Sequence, residues 1–218
     1  MFVFFLPARR LTELQRYLCQ PDKSLRPDHP RVQRDGQVSF NSNIANAEFQ
    51  KTLLSTVVYY GNRIALKHIA TGRYLSSRNK TYTTGSRQHE VFTSRRQPDP
   101  SHDFWIVIPA LNERRQPGEP VMYNHIIRLK HIETRRNLHS HHGYRSPITG
   151  QQEATAFGNK SDENDHWSVE RFGYQGGPQS GGEWRVDDVF ILRHVPTGHT
   201  LRSHEEKLGS EDINEVSV

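Results

Sequence analysis

The stretch Ile127–Glu170, IRLKHIETRRNLHSHHGYRSPITGQQEATAFGNKSDENDHWSVE, decides the fold, because the chain writes a version of it about three times. Leu66-Lys67-His68 returns as Leu129-Lys130-His131 and again as Leu192-Arg193-His194, at a constant spacing of 63. The same step joins Thr71, Thr134 and Thr197, then Leu75, Leu138 and Leu201, then Ser77, Ser140 and Ser203. Gln88 and Glu90 find Gln151 and Glu153 at that distance, and Trp105 meets Trp167 after a slip of one residue. Agreement at so many positions identifies an internal repeat, which governs every later inference.

The period is too long for helical or leucine-rich solenoids, which repeat every 20 to 50 residues or so. Each unit consists of short runs such as IALKH, RYLSS, HEVFT and FWIVI, with apolar residues at alternate positions and Gly, Pro, Asn or Ser between them. Alternation over four to six residues predicts half-buried strands. Four strands per unit, taken three times, predict a β-trefoil, in which closure removes exposed strand edges. Leu66, Leu129 and Leu192, with Ile64, Ile127 and Phe190, then line the barrel, and Trp105 and Trp167 are core or cap aromatics. A packing residue is needed in every unit, whereas a catalytic residue is needed once.

The pattern IRLKH…NLHSH…GQQE…DHW resembles the MIR domain, found in protein O-mannosyltransferases, stromal-cell-derived-factor-like proteins, and the inositol trisphosphate and ryanodine receptors. Unit two matches best, through Leu138-His139-Ser140-His141, Gly150-Gln151-Gln152-Glu153 and Asp165-His166-Trp167. Unit one departs from the motif, with LSSR in place of LHSH. The segment Ala47–Leu53, AEFQKTL, is similar to the lead-in of the mannosyltransferase MIR region. The resemblance spans about residues 40–218. It implies an endoplasmic reticulum lumen setting, a carbohydrate or Ser/Thr-rich polypeptide as ligand, and a membrane-embedded catalytic domain or an ER chaperone as companion. Two roles follow from it: a non-catalytic module associated with protein O-mannosylation, or a free-standing chaperone-associated protein of the stromal-cell-derived-factor type.

The domain plan is an irregular, partly helical arm over residues 1–55, then the trefoil over 56–218 in units 56–116, 117–182 and 183–218. LTELQRYL at Leu11–Leu18 has helical spacing of its apolar residues, and the proline-bearing run after it reads as a linker. The bridges NERRQPGEP at 112–120 and GYQGGPQSGG at 173–182 fall at equivalent places after the two Trp strands. The third unit reaches Val218 without a final aromatic strand. Either the chain is a piece cut within that unit, or an N-terminal strand such as Gln37–Phe40 fills the place.

Composition narrows the function. Apolar residues make up 33% of the 218, below the usual 45–50% or so of globular chains, a range that also counts Gly. The net charge of +5, from 29 basic and 24 acidic residues, includes no basic run of five or more, so a nucleic-acid partner is not indicated. Cys19 is the sole cysteine, which excludes an internal disulfide framework. The apolar start MFVFFL is too short for a signal peptide or a membrane span. Asn79-Lys80-Thr81 and Asn159-Lys160-Ser161 are glycosylation acceptor triplets.

No nucleophile elbow, phosphate-cradling glycine loop or cofactor motif is present, and Asp103 and Asp165, at equivalent places before each Trp, lack the asymmetry of a glycosidase pair. No enzyme activity or cofactor is therefore expected. His139 and His141 share one face of a strand, with His142 next. A metal needs more converging ligands than the pattern supplies, so no metal is expected. The alternatives are a His acting as a structural strut and a polar ligand site. The latter groups His139, His141, Tyr144, Gln151 and Gln152, residues clustered around one turn of the unit that departs from its sister.

Overall fold

A computed structural model describes residues 57–94, 96–99, 101–158, 160–173, 181–186 and 188–218, which fall in one compact unit. The helix expected at Leu11–Leu18, the strand at Gln37–Phe40 and the segment Ala47–Leu53 lie outside the described residues, as does Asn159. Among the described residues the protein is all-β apart from the 3-10 turn Glu163–Asp165.

Eleven strands lie within the described residues, four in each of units one and two and three in unit three. Unit one holds β1 (Arg63–Ala65), β2 (Tyr74–Thr81), β3 (His89–Ser94) and β4 (Phe104–Pro109). Unit two holds β5 (Ile126–His131), β6 (Asn137–Arg145), β7 (Gln152–Phe157) and β8 (Trp167–Arg171). Unit three holds β9 (Phe190–His194), β10 (Arg202–Lys207) and β11 (Ile213–Ser217). The first and fourth strands of the units pair antiparallel in the order β1-β4-β5-β8-β9 and form the barrel layer. The second and third strands form three hairpins that cap it. Their inner strands pair cyclically, β3 with β7, β7 with β11 and β11 with β3.

Threefold pseudosymmetry is visible in the backbone itself. Val58, Val121 and Trp184 are related by the repeat step and close a ring of hydrogen bonds. Val58 N donates to Trp184 O (2.8 Å), Trp184 N to Val121 O (2.7 Å), and Val121 N to Val58 O (2.9 Å). Burial removes these groups from water, so each needs a partner, and each unit supplies one for the next. Around this ring lies one core that contains Ile64, Ile127, Phe190, Leu66, Leu129, Leu192, Leu75, Leu138 and Leu201. Trp105 and Trp167 are fully buried, and their Nε1 atoms donate to Leu75 O (2.9 Å) and Leu138 O (3.0 Å), so both are core residues.

The Leu-Lys/Arg-His triplets end in three copies of one turn. Nδ1 of His68, His131 and His194 pairs with Oγ1 of Thr71, Thr134 and Thr197 at 2.9, 3.0 and 2.8 Å. Nε2 of His131 donates to His102 O, and Nε2 of His194 donates to Asn164 O. The turn needs a left-handed residue. Units one and three place Gly72 and Gly198 there, while unit two uses Arg135 at φ 60.

Truncating Leu129 to Ala should cost roughly 2–5 kcal/mol through lost burial and a cavity, and Trp167→Ala should cost about 3–5. Urea unfolding of both variants checks this. A second prediction concerns pH. Burial lowers the pKa of His194 from its ordinary 6.5 to about 4, and that of His131 in the same direction. The folded state therefore holds these rings neutral, and unfolding takes up protons once pH falls below about 6.5. Stability should be complete above that pH and fall between about 6.5 and 4, by roughly 3 kcal/mol for His194. His194→Gln should flatten this dependence in melts recorded across the range.

Candidate functional site

The hairpins of the three units share a bulge placed opposite a glutamate. In unit two, β6 carries four residues between Ser140 and Arg145, while β7 carries only Glu153 between the partner residues Gln152 and Ala154. In unit one, three residues between Ser77 and Thr81 oppose Glu90, and in unit three, three between Ser203 and Lys207 oppose Glu215. Unit two thus has one residue more in its bulge, and Gly143 sits in it at φ 99. A bulge re-aims side chains next to it, and in unit two the exposed residues there are His142, Gly143 and Tyr144.

The inner half of β6 stays packed. His139 is 2% exposed, and its Nδ1 lies 2.9 Å from Asp165 Oδ1 and 3.7 Å from Asp162 Oδ1. Asp165 is itself buried and accepts from Asn137 Nδ2 (2.8 Å) and Asp162 N (3.3 Å) through Oδ2. His139 Nε2 lies 3.1 Å from His141 Nδ1, so the chain Asp165–His139–His141 leads from the interior to the surface. The rings of His141 and Tyr144 meet edge to face at 4.6 Å, and Phe157 lies 5.2 Å from His139. Tyr144 and Phe157 are 42% and 36% exposed and flank the His139–His141 pair, Tyr144 at the outer ring and Phe157 at the inner one. Burial and the neighbouring His139 lower the pKa of His141.

Gln151 and Gln152 belong to a different network. Ser140, between the two histidines in sequence, faces away from them, and Gln152 shares its face, as strand alternation requires. Gln152 Nε2 donates to Ser140 Oγ (2.7 Å) and Thr197 Oγ1 (3.1 Å), and its Oε1 pairs with His199 Nδ1 (3.1 Å). Gln151 Oε1 accepts from Ser217 Oγ (2.9 Å), as Gln88 Oε1 in unit one accepts from Thr155 Oγ1 (2.5 Å). Both glutamines therefore clasp unit two to unit three, while His139, His141 and Tyr144 gather on one patch with Phe157.

Three residues of this region lie outside the ligand site that the sequence groups. Phe157 lies at the far end of β7, and only pairing across the hairpin brings it beside His139. Asp162 and Asp165 come from the turn before β8. The available signal was that Asp165 repeats Asp103, whose carboxylate accepts from Ser76 Oγ, the unit-one counterpart of His139. His139, Asp162 and Asp165 bring ligand atoms close enough to surround a cation. Three of their four carboxylate oxygens already face N–H donors: both of Asp165, as above, and Asp162 Oδ1, which accepts from Asn164 N (2.8 Å).

In unit one the corresponding surface is filled by ion pairs. Arg78, the counterpart of His141, bonds Glu90 (2.7 Å) and Glu211 (2.5 Å). No imidazole or aromatic patch forms there.

A family model of the MIR domain matches residues 77–218. This chain belongs to the MIR domain family. A stromal cell-derived factor 2-like protein of Arabidopsis thaliana is 36% identical over 152 residues, covering 69% of this chain and 66% of the relative. The dolichyl-phosphate-mannose–protein mannosyltransferase 1 of Candida albicans is 33% identical over 172 residues, covering 72% of this chain and 19% of that protein. The crystal structure of the SDF2-like protein from Arabidopsis thaliana superposes with a TM-score of 0.67 at 33% identity, covering 74% of this MIR chain and 87% of the other.

The glutamates opposite the bulges are the joints between MIR units. Glu215 accepts from Ile148 N, Thr149 N, Thr149 Oγ1 and Ser146 Oγ of unit two's hairpin turn. Glu153 accepts from Ser86 N and Oγ in unit one's turn, and its Oε1 has no partner among the described residues. Burial raises the pKa of Glu153 against those two donors, and Glu215 adds to the rise. Gly85 (φ 64) packs against it: a Cβ there would lie 2.4 Å from Glu153 Oε1, so the carboxylate would have to shift. Glu215→Gln should cost about 1–3 kcal/mol, because an amide group would face donors. Glu153→Gln, which retains an acceptor for Ser86, should cost clearly less. Denaturation midpoints at neutral pH compare the two.

Proposed function

We propose that this chain is a non-catalytic recognition module of the secretory pathway, which binds a glycan or a Ser/Thr-rich polypeptide through unit two. The observation that carries the reading is the asymmetry between sister hairpins. Where unit one closes its surface with Arg78, Glu90 and Glu211, unit two leaves His141, Tyr144 and Phe157 open. Divergence on a shared scaffold is where function is added. Aromatic faces beside neutral hydrogen-bonding groups suit hydroxyl-rich ligands, and the limited apolar area fits weak binding. The kinship with a protein mannosyltransferase supports a setting in protein O-mannosylation in the ER lumen, beside a membrane-embedded catalytic part. The same reading takes residues 56–218 as the module and 1–55 as an arm. No helix among the described residues is long and apolar enough to cross a membrane.

A second reading, a free-standing chaperone-associated protein of the stromal-cell-derived-factor type, draws on coverage. The matched region spans 66% of the plant relative but 19% of the mannosyltransferase. Carbonate washing of membranes separates the two: retention supports the transferase setting, and release the free-standing one.

Titration of mannosylated and unmodified Ser/Thr-rich peptides into labelled protein should shift amide NMR signals around His139–Tyr144 and Phe157, with a Kd between roughly 1 μM and 1 mM. Gln151 and Gln152 should respond only as neighbours. Shifts confined to unit one or unit three would end the proposal.

A further inference from the structure

The geometry points to a fixed polarity at the recognition patch: Asp165, acting through His139, makes His141 Nε2 an outward hydrogen-bond acceptor, so the patch takes a ligand that donates a neutral hydroxyl and refuses anions. This deepens the recognition proposed above and rests on it for the ligand, though not for the polarity.

The inference follows from donors and acceptors in order. Two groups that can only donate, Asn137 Nδ2 and the Asp162 backbone N–H, hold Asp165 Oδ2. Oδ1 is left facing His139 Nδ1 at 2.9 Å, so that nitrogen carries the proton. With that single ring proton, His139 has a lone pair on Nε2, and the proton in the 3.1 Å contact with His141 Nδ1 then comes from His141. Neutral His141, having its proton on Nδ1, presents a bare Nε2. No described residue hydrogen-bonds that atom. The reduced basicity of His141 in this half-buried place supports its neutral form.

The surroundings agree with a neutral ligand. Asp162, whose side chain is 48% exposed, lies 3.7 Å from His139 and adds a negative field that repels carboxylates, sulfates and phosphates. Tyr144 and Phe157 offer apolar contact for the carbon skeleton that carries the hydroxyl. Asp165 and His139 are thus positioning residues. They touch no ligand, yet they set what the outermost atom can accept, as outer-shell partners fix the tautomer of a metal-bound histidine.

The chain contains its own reference. His131 and His194 donate from Nε2 to carbonyls and are therefore the opposite tautomer. Long-range nitrogen–proton spectra of the full chain, labelled at histidine, should show His139 and His141 protonated at Nδ1 and the two reference rings at Nε2. A wild-type His141 protonated at Nε2, as an imidazolium at His139 would produce, overturns the inference even if ligands bind. Asp165→Asn would turn its NH2 toward His139, since Asn137 and the backbone still require an oxygen. Both patch rings should then switch to Nε2–H with unchanged surface residues.

Binding arms use methyl α-mannoside and a Ser/Thr-rich peptide as two hydroxyl sources and sodium sulfate as an acceptor-only anion. Wild type should respond to one or both hydroxyl sources and not to sulfate, and whichever responds names the source. The Asn variant should bind the hydroxyl ligand about tenfold more weakly and gain a response to sulfate. Equal response of wild type to sulfate and sugar overturns the inference. Rings of the expected tautomer with no response to any hydroxyl ligand uphold the polarity, while ending the ligand assignment and the recognition reading together. Should Asp165→Asn fail to fold, the wild-type ring spectra and the sulfate arm decide.

Discussion

The ring of backbone hydrogen bonds through Val58, Trp184 and Val121 is the constraint on which the rest of the structure depends. Each unit supplies a donor to one neighbour and an acceptor to the other, so no unit is satisfied alone. Buried peptide groups without partners are costly, which makes the threefold arrangement collective. The core residues then fall into symmetric sets around this ring. The side chains in a set need not be identical, as Trp184 in the place of two valines shows, provided the shared volume is filled.

The hairpin cap is joined by a second cyclic device of different chemistry. Every hairpin bulges opposite a buried glutamate, and Glu153 and Glu215 reach back to the turn of the preceding unit. Glu90 reaches unit three's turn through Arg78, because that turn carries the acidic Glu211 and would repel a bare carboxylate. The three joints are therefore equivalent in position and unequal in strength. Glu215 meets four donors, whereas Glu153 meets two from a single residue and leaves one oxygen unpartnered.

The proposed recognition patch of this MIR domain draws on small departures from that symmetry. The outer half of β6 is exposed, as is that of β2, but unit two's bulge carries one residue more and places Tyr144 there, and replacement of a serine by His139 extends a buried carboxylate contact outward. In unit one the same carboxylate position ends at Ser76, and the surface beyond is closed by ion pairs. The scaffold is unchanged between the two hairpins, so the difference lies in which side chains the bulge exposes and which hydrogen-bond partners reach them.

The sequence by itself determined the repeat, the strand-rich units, the leucines and tryptophans of the core, and the family, because a fixed spacing of 63 records packing demands that recur in every unit. It also marked unit two as the divergent copy. It could not separate Gln151 and Gln152 from His139, His141 and Tyr144, since nearness along a hairpin does not say which face a side chain takes across a bulge. Phe157 and Asp165 join the patch from 18 and 26 residues beyond His139, brought there by strand pairing and by the turn before β8. Those placements belong to the tertiary structure, because contacts across a hairpin depend on register, and register here is set by how many residues each bulge contains.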